Sequence, residues 1–202
     1  MLAGLLAAAA GHRARAQDQD LDEDLPIKGA PKGRIGGASR GPRKGDPVIV
    51  LEVLAPARSV GETASPAPTL FYRCSDAIAL PMRFTVSLRG QALPVIDVPI
   101  AAPRTGGLQA VPTAALGLRL VPELVYVWSI SAIRDPDSPS NDLVASALLR
   151  VRRTGAQDEV RLRAATPAQL AEAGFWYDAV AAAEGSSRAA LLRQEGLDAA
   201  GG

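Results

Sequence analysis

Between residues 82 and 90 the chain reads MRFTVSLRG, with Phe84, Val86 and Leu88 alternating with Arg83, Thr85, Ser87 and Arg89. A period of two predicts a strand with one face on a core and one in water. ELVYVWSISAI (123–133) repeats the pattern through Tyr126, Trp128, Ile130 and Ala132. VIVLEVLAP (48–56), TLFYRC (69–74), GLQAVP (107–112) and LVASALLRVRR (143–153) are further β-rich runs, and the prolines of ETASPAP keep the approach to TLFYRC extended. ALPVIDVPIA (92–101) carries Pro94 and Pro99, each of which removes a ladder donor, so this run belongs at an edge or at a bulge. Seven short strands with turn residues between them predict a mainly β fold over residues 48–153. The expected form is an antiparallel β-sandwich, immunoglobulin-like in outline.

Past Arg153 the period becomes helical, and residues 154–202 are expected to form a short helical hairpin docked on the sandwich. Thr166, Pro167 and Gln169 stand at the N-cap, N1 and N3 positions of a capping box. Gly174 is placed to end that helix in a left-handed residue. FWYDAVAAAEG (175–185) starts a second helix, and Ser187 is placed to cap a last one through RAALLRQEGL (188–197). Such helices are too short to stand alone in water. Phe175, Trp176, Tyr177, Leu191 and Leu192 supply the surface to dock them, although the aromatic trio also has the composition of a recognition platform.

The amino-terminal end has no such pattern. Leu2 to Ala10 is an uninterrupted apolar run, and Ala14-Arg15-Ala16 follows as an A-x-A site. Residues 1–16 therefore read as a signal peptide cleaved before Gln17, too short to span a bilayer, and the mature product is expected to be soluble and periplasmic or secreted, with no transmembrane segment. Residues 17–47 read as a flexible tail: an acidic block (Asp18, Asp20, Asp22, Glu23, Asp24), then Lys28, Lys32, Arg34, Arg40, Arg43 and Lys44 among glycines and prolines.

Export narrows the chemistry. The one histidine, His12, lies in the leader, so the mature chain has no imidazole for Ser-His-Asp or Cys-His catalysis or for histidine-ligated metals. A single cysteine, Cys74, excludes an internal disulfide and reads as a small buried residue of a strand. Loss of Arg13 and Arg15 takes the formal charge from +1 to −1, which removes any global bias toward polyanions.

Gly37-Ala38-Ser39-Arg40-Gly41 matches G-x-S-x-G, but no strand precedes it, no helix follows it, and no histidine can serve as base. Neither Lys32 nor Lys44 stands in a phosphate-binding loop. Nucleic-acid binding by the arm is disfavoured because no aromatic occurs before Phe71 and export separates the chain from cellular RNA. Arg34, Arg40, Arg43 and Lys44 are instead candidates for an anionic envelope polymer, and the glycines also permit the arm to fold back along the sandwich. RDPDSPSND (134–142) gathers Asp135, Asp137, Asn141 and Asp142. These are oxygen ligands of the kind calcium takes, or a general acid and base pair acting on glycan, or the ordinary residues of a long turn. The spacing is not that of an EF-hand, which favours the turn.

Four stretches in this order resemble a bacterial family described as domain of unknown function 928: KGAPKGRIGGASRG (28–41), APTLFY (67–72), YVWSISAIRDPDSPSNDLV (126–144) and LAEAGFWYDAV (170–180). The resemblance implies an exported protein with a β-sandwich body, a short helical tail and no established reaction. Many members would have a cysteine where this chain has Arg134, so no role for a thiol there carries over. AEAGFWYDAV also looks like the middle of a tetratricopeptide-type helix pair, which cannot bury its faces without a neighbour. The resulting expectation is a non-catalytic binding or assembly module at the cell envelope, with no cofactor and with an envelope protein or anionic polymer as partner. The alternatives are a carboxylate-dependent hydrolase of envelope glycan and a calcium-stabilised structural domain. Mature protein from the native host is expected to begin at Gln17 by mass spectrometry; a cytosolic chain retaining Met1 would contradict the leader.

Overall fold

The computed structural model describes residues 34–35 and 49–197. The expected leader, the acidic block, Ser39, Arg40, Arg43 and Lys44 lie outside the described residues. Among the described residues strand is the commonest regular structure, arranged in two sheets and followed by helices.

The larger sheet holds β1 (Arg34–Ile35), β3 (Gly61–Thr63), β5 (Met82–Leu88), β6 (Pro94–Ile100), β8 (Val125–Ala132) and β9 (Leu143–Val151). Its order is β1-β9-β8-β5-β6, with β3 also on β9. The smaller sheet holds β2 (Leu51–Val53), β4 (Thr69–Cys74) and β7 (Gly107–Pro112), in the order β2-β4-β7. Strands β5 and β8 pair antiparallel from Met82↔Ala132 to Leu88↔Tyr126. That register puts Phe84 and Val86 on the same side as Trp128 and Ile130, as alternation requires, and all four are buried. Leu51, Val53, Leu70 and Tyr72 of the smaller sheet enter the same core. Cys74 is buried at the end of β4.

The proline-bearing run is the edge strand β6. Pro99 lies opposite Arg83 and Pro94 opposite Ser87, with a register shift between Val86 and Ser87. An edge needs no outward donors, and missing ones discourage pairing with another chain.

Two features depart from the sequence reading. The larger sheet is not wholly antiparallel, because β3 runs parallel to β9 (Gly61↔Leu149, Thr63↔Val151). Beside it, β1 pairs antiparallel with β9 (Arg34↔Ala147, Ile35↔Ser146), so two short segments cover an edge that would otherwise be open. Neither segment has the β-rich composition that marks a strand, and tertiary contact decides both. The helical part is also not a hairpin but four short helices: α1 (Ala156–Ala164), α2 (Pro167–Glu172), α3 (Trp176–Ala182) and α4 (Gly185–Gln194). Extended backbone at Ala165 and Thr166 ahead of Pro167, left-handed Gly174, and extended Ala183 and Glu184 break the run. The Thr166–Gln169 capping box forms. Ser187 does not cap α4; Glu184 stands at that N-cap.

Helix α3 packs on β3 and β4, and its first turn ties it down. The Trp128 indole N–H donates to Tyr177 Oη at 2.8 Å, and the Tyr177 hydroxyl donates to the Leu148 carbonyl at 2.9 Å. The two rings meet edge to face with centroids 6.2 Å apart. Trp176 Nε1 donates to the Leu54 carbonyl at 3.3 Å. Asp178 accepts from Thr63 Oγ1 at 3.1 Å and from the Ala64 amide at 2.9 Å. The Tyr177 ring lies on Gly61, where an added Cβ would stand 2.5 Å from Cε2. At the far end, Glu195 accepts from the Ala57 amide at 3.1 Å and Leu191, Leu192 and Leu197 are buried.

Tyr177→Phe leaves the buried Trp128 indole N–H without its partner and removes one bond to the Leu148 carbonyl. It is expected to cost about 2 kcal/mol or more of unfolding free energy in a denaturant titration. Gly61→Ala is expected to be destabilising in the same assay, because backbone or ring must shift. Wild-type stability for either variant would contradict this packing.

Candidate functional site

The arginines at the end of β9 begin the site. Position 150 alternates onto the outer face of the sheet, beside Glu62 of β3 in the parallel register. Glu62 Oε1 accepts from Arg150 Nε at 2.9 Å and Oε2 from Arg152 Nε at 2.7 Å, so one carboxylate joins two guanidiniums. Arg152 also donates from Nη1 to the Ala173 carbonyl at 2.9 Å, and its guanidinium lies 4.2 Å above the centre of the Phe175 ring. Gly174 is required twice here: its φ is +85°, and a Cβ would stand 2.7 Å from Arg152 Nη2. Arg152 thus joins β9 to the α2–α3 turn and also lines the groove beside it.

Beyond this tie the chain opens into a groove of about 390 Å³, between the end of β9, α1 and α2. Leu162, Ala165, Ala173 and Phe175 give it an apolar wall, and Arg153, Arg161, Asp158 and Gln169 its polar rim. Asp158 accepts from the Gly155 amide at 3.4 Å, and Gln169 Oε1 from the Thr166 amide at 2.8 Å. The Arg153 amide donates to Glu123 Oε1 at 2.5 Å. The guanidiniums of Arg153 and Arg161 form no ion pair among the described residues. Two exposed cations beside an apolar wall suit an anion that carries apolar surface.

Two carboxylates near the site titrate in opposite directions. Burial pushes Glu62 up, but the hydrogen bonds and charges of Arg150 and Arg152 outweigh it and hold the group below its ordinary value. Burial raises Asp178, and its bonds to the Ala64 amide and Thr63 offset only part of the rise.

The residues singled out from the sequence lie elsewhere or are engaged. Phe175, Trp176 and Tyr177 are buried; Phe175 lines the groove, while Trp176 and Tyr177 pack into the body of the protein. The backbone of Arg34 belongs to β1. Asp135, Asp137, Asn141 and Asp142 sit in the β8–β9 loop, at the opposite end of β9 from the groove and about 27 Å away along the strand. There Asp135 Oδ1 accepts from the Asp137 amide at 3.0 Å, Asp142 Oδ1 from the Arg134 amide at 2.9 Å, and the Asn141 amide donates to the Ser138 carbonyl at 2.9 Å. These are the bonds of a turn. Among the described residues no three His, Cys, Asp or Glu side chains gather to hold a metal ion. Sequence reasoning missed Arg152, Arg153 and Arg161; the visible signal was the run RVRRTG leaving a strand and the RLR that follows.

Asp178 contributes stability that is full below the ordinary aspartate range and declines as pH rises through its raised value, because the folded state holds the extra proton in that window. Glu62 does the reverse, losing its contribution as pH falls through its lowered value. Asp178→Asn keeps an acceptor for Ala64 and is expected to flatten the first decline in denaturation midpoints measured across pH. The same decline in the variant would contradict the assignment.

A family model described as Domain of Unknown Function (DUF928) matches residues 35–193, a span that takes in both sheets and the helices, short of Arg34 and Gln194, together with the groove. No curated protein and no solved structure matches the chain.

Proposed function

We propose a role that starts from one premise: the chain belongs to the DUF928 family, whose model spans its sheets and its helices alike. On our reading the mature protein is an exported, non-catalytic binding or assembly module at the bacterial cell envelope, and it holds an anionic envelope component at the groove. The observation that carries this is the contrast among neighbouring arginines. Arg150 and Arg152 are paired with Glu62, whereas Arg153 and Arg161, which line the groove with Arg152 and a single carboxylate, Asp158, form no ion pair among the described residues. Export is supported by the apolar leader and its A-x-A site, and a non-catalytic role by a sole histidine lying inside that leader. No helix among the described residues is long and apolar enough to cross a membrane. The loop carboxylates Asp135 and Asp142 accept from backbone amides, which favours a turn over glycan hydrolysis or a calcium site.

The two sheets are read as the layers of a sandwich, immunoglobulin-like in outline. What supports this is the shared core, in which Leu51 and Leu70 of one sheet cluster with Phe84 and Trp128 of the other.

Dextran sulfate, as a generic polyanion, is expected to bind the mature protein with an affinity that falls as salt rises. The double variant Arg153→Ala/Arg161→Ala is expected to weaken it about tenfold or more with the fold unchanged by circular dichroism. Equal binding by the double variant would contradict the site, and cleavage of an envelope glycan by purified protein would contradict the role.

A further inference from the structure

Helix α1 is held differently from the other helices. None of its residues is buried, Val160 is 67% exposed, and Leu162 is its one side chain packed, in part, against the core. A nine-residue helix has little stability of its own in water, so its position depends on what lies on its inner side. What lies there is the groove. Asp158, Arg161 and Leu162 of α1 form one wall, Gln169 and Ala173 the other, and Phe175 lies among the lining residues under the Arg152 guanidinium. Its volume, about 390 Å³, is that of a small-molecule site.

We propose that this groove binds a single-chain anionic amphiphile, and that the bound chain supplies the apolar contact α1 lacks, so that binding and the ordering of α1 are coupled. The oxyanion head lies with Arg153 and Arg161, and the apolar body lies along Leu162, Ala165, Ala173 and Phe175. The inference rests on the reading that those two arginines recognise an anion, and it adds the ligand class. A glycan would meet an apolar wall that offers its hydroxyls few partners. An acidic peptide would leave backbone amides unpaired against the same wall. An alkyl chain has no such groups, and its burial is favourable at every methylene.

The test uses the mature protein with octyl phosphate, butyl phosphate, inorganic phosphate and octyl glucoside as calorimetric probes, all below their micellar concentrations. Hydrogen exchange across residues 156–164 is followed in parallel. Octyl phosphate is expected to bind at least about tenfold tighter than inorganic phosphate or octyl glucoside, gaining about two- to fourfold per methylene from butyl to octyl. Amides of α1 are expected to gain protection with octyl phosphate and not with inorganic phosphate. Leu162→Ser is expected to weaken octyl phosphate by a larger factor than it weakens inorganic phosphate.

Inorganic phosphate bound as tightly as octyl phosphate, still dependent on Arg153 and Arg161, would overturn the amphiphile and leave anion recognition standing. Octyl phosphate binding unaffected by Arg153→Ala/Arg161→Ala would overturn both. Tighter binding of an acidic hexapeptide than of octyl phosphate, or an unchanged α1 exchange rate on saturation, would also overturn the proposal.

Discussion

A tyrosine hydroxyl placed in an apolar core must find both a donor and an acceptor, and the rest of this architecture follows from how Tyr177 does so. Its oxygen accepts from Trp128 on β8 and donates to the Leu148 carbonyl on β9, which joins a helix to the two central strands of the larger sheet. The residues on either side repeat the device with other segments: Trp176 reaches the chain after β2, and Asp178 the end of β3. Three consecutive side chains thus draw three distant stretches together, and burial raises the cost of leaving any of these groups unpaired. Gly61 belongs to the same arrangement, since the Tyr177 ring occupies the space a side chain would take. This contact, rather than local propensity, explains why so short a run as Gly61–Thr63 becomes a strand.

The anchor also sets the groove. With α3 fixed, Phe175 at its start lies under the Arg152 guanidinium, and Glu62 holds Arg152 beside Arg150. That chain of contacts builds a firm floor at the end of β9. Helix α1 lines the groove beside it with none of its own residues buried, so a firmly tied surface stands against a lightly held wall. Local stability is uneven in this way where proteins bind, because the element that closes on a ligand has to be inexpensive to move.

Much of the β framework was legible from alternation. Phe84 and Val86, and Tyr126 through Ala132, are buried on the faces a period of two assigns them, and the two prolines of β6 mark an edge. The capping box at Thr166 and the left-handed Gly174 were likewise readable, because both depend on local chemistry. Strands β1 and β3 were not, since their pairing with β9 is decided by what packs on them. Helix α1 lies inside the stretch expected to be helical but was not singled out as an element, because AQDEVRLRA has no clear apolar stripe. The groove was illegible for a related reason. Its arginines stand in an ordinary basic run, and only the fold separates Arg152, which is paired, from Arg153, which is not. The aromatic trio stands out in the sequence; Trp176 and Tyr177 pack into the interior, and Phe175 also lines the groove.

If the Trp176–Tyr177–Asp178 turn joins sheet and helices as described, the two parts open together. Native-state hydrogen exchange of the protein tests this directly, by comparing amides of α3 with those at the centres of β8 and β9. The expected result is one shared opening free energy for all three elements, with α1 exchanging well below it. Exchange of α3 through a separate, lower-energy opening while β8 and β9 stay protected would show that the helices are an appendage, and the account would fail.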